Sequence, residues 1–154
     1  FNMASLTNLF TSVDKLDHIM RIRSFNKIET ALQLIIYFVS SYRQWLENIN
    51  DYRLKNIVAL VIKQSLLYSL AGDSTPESQA TFMQVINSYF GYTDQESPDY
   101  SNIVITKDTL DFTSLTSQVP SIVLEAHDVM KPDIIIPTID TIKNEKVFYD
   151  LLNS

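Results

Sequence analysis

The sequence predicts a mainly α fold: a small helical bundle over residues 1–92, then a connection, short β strands and a final helix over 93–154. Three observations carry that prediction. Apolar residues recur at helical spacing through the first 90 positions or so, glycine and proline fall where helices stop and start, and the composition changes abruptly after Gly91.

Leu6, Leu9, Phe10, Val13, Leu16 and Met20 stand at offsets 0, 3, 4, 7, 10 and 14, the stripe of an amphipathic first helix. A second helix is expected from about Asn26, which can cap the first turn while Glu29 reaches back. Its buried face is read as Ile28, Leu32, Ile35, Ile36 and Val39, extending to Leu46. Asn50 or Asp51 restarts the pattern, and Leu54, Ile57, Val58, Val61, Ser65 and Tyr68 carry it to Gly72, the residue expected to close the helix in a left-handed cap. Ser74-Thr75-Pro76-Glu77 is a concentrated start signal, with a hydroxyl cap, proline in the first turn and an acid where the helix dipole favours one. Phe82, Val85, Ile86, Tyr89 and Phe90 form the fourth face, which Gly91 ends. Four such stripes joined by short turns must cover one another, which makes a bundle.

Residues 93–102 are rich in Asp, Glu, Ser and Pro and read as a solvated connection, with Asp94, Glu96 and Asp99 simply hydrated. Ile103–Thr106 and Thr109–Phe112 are β-branched and partly alternating, as in a hairpin or a pair of edge strands. Ile122–Leu124 and Ile134–Ile136 are further candidate strands, bordered by Pro120, Pro132 and Pro137. The last helix is placed at Asp140–Leu152, with Ile142, Val147, Phe148, Leu151 and Leu152 as its stripe.

The composition excludes several functions. With no cysteine there is no disulfide framework or thiolate zinc site, and a net charge of −6 argues against a reader of phosphate backbones. Apolar residues, 45% of the chain, are interleaved with polar ones, and no uninterrupted run approaches the roughly 20 residues that span a bilayer. Two glycines leave little from which to build a phosphate-cradling loop. Phe1 lacks a basic leader context and Ser154 follows an apolar stripe, so the chain reads as a piece of a longer one.

Candidate chemistry is sparse. His18 and His127 are the two imidazoles and have no metal-ligand spacing, so both read as surface or structural residues, and no Gly-x-Ser-x-Gly elbow is present. Tyr37, Phe38, Tyr42, Trp45 and Tyr68 read as packing aromatics rather than a stacking platform, since no basic patch accompanies them. Two stretches stand out: Ser65-Leu66-Leu67-Tyr68-Ser69-Leu70-Ala71-Gly72-Asp73-Ser74, and Val129-Met130-Lys131-Pro132-Asp133-Ile134-Ile135-Ile136-Pro137-Thr138-Ile139-Asp140-Thr141. By themselves they are a helix-to-helix turn and a strand-to-helix turn, the latter capped by Thr138 or Asp140.

In this order and at this separation, the two stretches resemble the cytoplasmic dynein heavy chain of fungi between its second and third AAA+ modules. The similarity runs from about His18-Ile19-Met20 to the end. It implies that residues 1–92 are a small (lid) subdomain and 93–154 the lead-in to the next large subdomain. It also implies that Ile135, Ile136, Pro137 and Thr138 approach the adenine of the third module, and that Gly72, Asp73 and Ser74 lie near the nucleotide of the second. Thr75 stands where a basic sensor residue is sought, which argues against a direct phosphate contact. ATP or ADP with Mg²⁺ is the implied cofactor of the parent motor. The implied partners are neighbouring AAA+ modules, microtubules and dynein accessory subunits, with no nucleic acid and no membrane insertion, in the cytoplasm on the cytoskeleton. Because GxxxxGK[ST], a Walker B acid run and an identifiable arginine finger are missing, the segment by itself should not hydrolyse ATP. A strand and a GxxxxGK[ST] loop are expected directly after Ser154. The rival reading is a stand-alone helical module that binds a partner helix in a groove.

Overall fold

Helix α1, Met3–Val13, opens the chain. α2 is Ser24–Ser41, α3 Arg43–Leu46, α4 Asp51–Ala71, α5 Pro76–Phe90 and α6 Ile139–Leu152. Strands β1, Ile103–Ile105, and β2, Phe112–Ser114, pair antiparallel, with Val104 opposite Thr113, and a 3₁₀ turn at Leu115–Gln118 follows. The computed structural model describes residues 3–19, 24–91, 102–105, 112–121 and 137–153.

α4 is the axis of the bundle. Asn50 caps it by accepting from the Arg53 amide at 2.8 Å. It is enclosed on two sides, by α2 and by α5, so Leu60, Lys63, Leu67, Leu70 and Ala71 are buried beside the expected Ile57, Val61 and Ser65, while Val58 is exposed. By length and composition alone α4 could cross a bilayer, a property that the sequence reading denied to every segment; half of its most apolar window is buried within the bundle. Fully buried Lys63 threads its stem through the core and donates to the Gly91 carbonyl, placing a cation at the end of α5 where the helix dipole favours one.

Two apolar clusters flank α4. The first joins Leu9 and Val13 of α1 to Leu60, Leu67, Leu70 and Ala71 of α4, to Phe82 and Ile86 of α5, and to Ile103 of β1. The second gathers Tyr42, Ile57, Val61 and Ile105, with Ile35, Phe38, Leu46 and Ile49 packed around them. β1 is buried along its whole length and contributes to both.

Several expectations are corrected here. α1 ends at Val13 and Leu16 lies half-buried in the turn beyond it, while Met20 is outside the described residues. α2 begins two residues before Asn26, which is therefore not its cap. Its buried face is also different: Lys27, Ala31, Leu34 and, beyond its end, Tyr42 face inward, whereas Ile28 is 37%, Leu32 54%, Ile36 60% and Val39 47% exposed. The two stripes differ by one residue, a rotation of about 100°. α2 carries apolar residues nearly all round, so periodicity alone does not choose between them. The helix breaks at Tyr42 instead of running to Leu46, and Tyr42 stacks on Phe38 at 4.5 Å while Trp45 is left exposed.

Gly72 does not adopt the expected left-handed cap; at φ −60° and ψ −25° it remains right-handed. Glycine is needed there because a Cβ would collide with the Tyr68 carbonyl oxygen. The left-handed position is Gly91, at φ 71°, whose amide closes α5 on the Asn87 carbonyl. Thr75, Pro76 and Glu77 start α5 as expected, with the Thr75 hydroxyl accepting from Ser78.

Of the expected pair, Thr106 and residues 109–111 lie outside the described residues; Phe112 pairs with Ile105, and the strand runs on to Ser114. The candidate strands Ile122–Leu124 and Ile134–Ile136, together with His127, Asp94, Glu96 and Asp99, lie outside the described residues. Thr138, not Asp140, caps α6, in a reciprocal pair with Thr141. Ile142, Val147 and Leu151 are half-buried, but Phe148 and Leu152 of the expected stripe are exposed.

Candidate functional site

The turn between α4 and α5 holds the densest polar network among the described residues. Gly72 is exposed, while Ser74 is buried and donates to the Ala71 carbonyl at 2.7 Å. The Asp73 side chain, only 6% exposed, faces into the protein. Its Oδ1 accepts from the Lys27 ammonium at 3.0 Å and lies 2.9 Å from His18 Nδ1. Lys27 Nζ also reaches the Leu70 carbonyl at 3.3 Å, and His18 Nε2 lies 2.9 Å from the Val13 carbonyl.

Backbone bonds reinforce these contacts. The Ile19 amide donates to the Asp73 carbonyl at 2.8 Å and the Thr75 amide to the Asp17 carbonyl at 3.2 Å. The Asp17 amide donates to the Ser78 hydroxyl at 3.1 Å. The segment after α1 is thus fastened to the α4–α5 turn, and α2 reaches both through Lys27.

Burial by itself pushes the Asp73 carboxyl up. The hydrogen bonds from Lys27 and His18, and their charges, outweigh that cost and hold it below the ordinary carboxylate value. A carboxylate whose charge is already offset in this way is a poor ligand for a metal ion that accompanies a phosphate. Thr75, at the position where a base was sought, spends its hydroxyl on the helix cap.

The second set of expected residues sits at the other end of the chain. Pro137 is half-buried and Thr138 is the exposed cap of α6; Ile135 and Ile136 lie outside the described residues. α6 forms one wall of a cleft of about 360 Å³ whose other walls come from Leu34 and Phe38 of α2, Val61 and Tyr68 of α4, β1, and Leu115. Lys143 and Lys146 stand on the α6 side, paired with Asp140 and Asp150 at 3.3 and 3.5 Å. Of the expected residues that are described, Gly72, Asp73 and Ser74 lie in the α4–α5 turn and Pro137 and Thr138 at the start of α6, and none of them lines this cleft.

Sequence reasoning missed Lys27; His18, read as surface or structural, is structural, with partners that the sequence did not name. The available signal was the spacing Lys27, Ala31, Leu34, Phe38, Tyr42, a complete helical stripe that starts with the one base of α2.

Comparison with known proteins agrees with this architecture. A family model described as "DYN1, AAA+ ATPase lid domain" matches residues 1–102. The chain is 62% identical over 154 residues to the cytoplasmic dynein heavy chain of Saccharomyces cerevisiae, covering 100% of this chain and 4% of that protein. It is 29% identical over 155 residues to the heavy chain of Eremothecium gossypii, covering 98% and 4%. Against the heavy chain of Fusarium vanettenii the identity is 24% over 144 residues, covering 88% and 3%. The chain therefore spans only about 4% of the length of the curated relatives that it matches first.

Proposed function

Because this chain belongs to the dynein heavy-chain family and carries its AAA+ lid domain, we propose that it is a coupling segment of an ATP-driven motor ring. It passes nucleotide-dependent rotation from one AAA+ module to the next. The observation that carries this reading is a lid-domain match on a helical bundle with a buried core, in a sequence without a GxxxxGK[ST] phosphate loop. A rigid body of this kind transmits a difference in contact free energy between two states without doing the chemistry itself. ATP or ADP and Mg²⁺ are held mainly by residues outside this segment, since Asp73 is already committed to Lys27 and His18. The proposed share of this chain is the adenine edge at Ile135, Ile136, Pro137 and Thr138, where apolar side chains can seat a flat base. Gly72, Asp73 and Ser74 act as a brace near the nucleotide of the preceding module rather than as phosphate ligands. The whole heavy chain works on microtubules with accessory subunits in the cytoplasm.

Photolabelling tests the adenine placement. In a heavy chain carrying this segment, 8-azido-ATP should modify a peptide that contains residues 135–138, and excess ATP should suppress the labelling. Labelling confined to other peptides would remove these residues from the nucleotide site.

The uncovered stripe Ile28, Leu32, Ile36 and Val39 on α2 supports the same reading, because a body that works between neighbours leaves apolar surface bare when taken alone. The separate chain is expected to self-associate. Leu32→Gln with Ile36→Gln should shift its size-exclusion profile towards the monomer while leaving the melting temperature nearly unchanged, since both positions are exposed. A monodisperse wild-type monomer would instead favour a stand-alone interaction module.

A further inference from the structure

The contacts around His18 constrain its protons. Nε2 lies 2.9 Å from the Val13 carbonyl, which can only accept, so this nitrogen carries hydrogen in either charge state. The charge state is therefore decided at Nδ1, which lies 2.9 Å from Asp73 Oδ1 and 3.3 Å from Lys27 Nζ. With a neutral imidazole, Nδ1 accepts from Lys27, and its lone pair is pressed against a carboxylate oxygen, acceptor on acceptor. With a charged imidazole, Nδ1 donates to Asp73, and two cations share one oxygen. Neither state satisfies every group in the observed arrangement. Asp73 Oδ2, buried and without a hydrogen-bond partner, is the outlet, since the ammonium can turn to it from Oδ1.

We propose that His18, Lys27 and Asp73 form a proton-coupled latch between the segment after α1 and the α4–α5 turn. Charged His18 donates from both ring nitrogens, to Val13 and to Asp73, and Lys27 takes up Oδ2. Neutral His18 gives up Asp73 and accepts from Lys27, so that residues 17–19 remain tied to residues 73–75 through the backbone bonds at Ile19 and Thr75. The groups that face the imidazole are Lys27 from α2, Asp73 from the α4–α5 turn and the Val13 carbonyl from α1. From α5, the Ser78 hydroxyl is occupied by the Asp17 amide. Asp14, Lys15 and Asp17 on the same segment, and Glu77 on α5, are exposed. Loss of the His18 proton therefore loosens one strap of the bundle and leaves its apolar core intact.

Histidine-selective ¹⁵N labelling of the chain tests the latch with simple spectra, because only His18 and His127 contribute and His127→Gln assigns them. Loss of the Nδ1 hydrogen should leave His18 as the Nε2–H tautomer. Amide-exchange protection at Ile19 and Thr75, corrected for intrinsic pH dependence, should fall together with it by about fivefold or more. Appearance of the Nδ1–H tautomer, or titration with no change in protection at those amides, would overturn the proposal. Lys27→Met removes the alternative donor and should enlarge the loss of protection on deprotonation; the wild-type titration decides the question even if this variant does not fold.

Discussion

Asp73→Ala is expected to cost about 3–5 kcal/mol of unfolding free energy, among the largest effects of any single substitution in this chain, because it leaves a buried ammonium without its carboxylate. Lys27 is 5% exposed and cannot reach water without withdrawing from between α2 and α4. The double variant Asp73→Ala, Lys27→Met should recover much of the loss, since a buried ion pair replaced by apolar groups is often nearly neutral. Denaturant unfolding of the wild type, both single variants and the double gives the coupling energy directly; a loss below about 1 kcal/mol for Asp73→Ala would mean that the pair is effectively solvated. The same carboxylate predicts an acid limb. Its folded value is depressed, so the stabilisation is fully present above the ordinary aspartate value, about 3.9, and is lost as pH falls through the lower folded value. Asp73→Asn should abolish that part of the acid dependence, and an unchanged acid limb would place its source elsewhere.

How much of this was legible in the sequence depends on how many solutions each pattern allowed. The α4 start at Asn50 and the α5 start at Thr75-Pro76 were readable because cap chemistry is local: a side-chain oxygen two or three residues from an orphan amide has one sensible use. Periodicity offered the buried face of α2 only as one of two, because apolar residues at 28, 31, 32, 34, 35, 36, 38 and 39 satisfy two helical stripes. The choice was made by Lys27, whose ammonium has to find a carboxylate 46 positions away. Gly72 was misread for a similar reason, since a glycine at a helix end signals either positive φ or close approach, and sequence does not separate the two. The turn Gly72-Asp73-Ser74 stood out in the sequence, but the partners of its carboxylate, Lys27 and His18, lie 46 and 55 positions away and gave no local signal.

Phe82→Ala should cost a comparable amount, about 3–5 kcal/mol, for a different physical reason. The ring is completely buried in the first cluster, where α5 meets α1 and α4, and its removal leaves a cavity that helices braced by the Asp73 network cannot collapse to fill. The loss should also be uneven. α1 is held to the rest chiefly through α5, so amide protection in Met3–Val13 should fall first and furthest. Protection around Tyr42, Ile57 and Val61 should be better preserved, because that second cluster is built by α2, α4 and β1 without a residue from α5. Ile57→Ala, expected to cost about 2–5 kcal/mol, should reverse the pattern. Hydrogen exchange on the two variants then measures whether the clusters flanking α4 open separately or as one. Equal loss of protection everywhere in both variants would make the bundle a single cooperative unit, with α4 transmitting any disturbance on one flank to the other. Separate opening would mean that the α1–α5 side can yield while the α2–β1 side stays packed, and a motor lid that flexes along α4 would be a different mechanical element from one that moves as a rigid body.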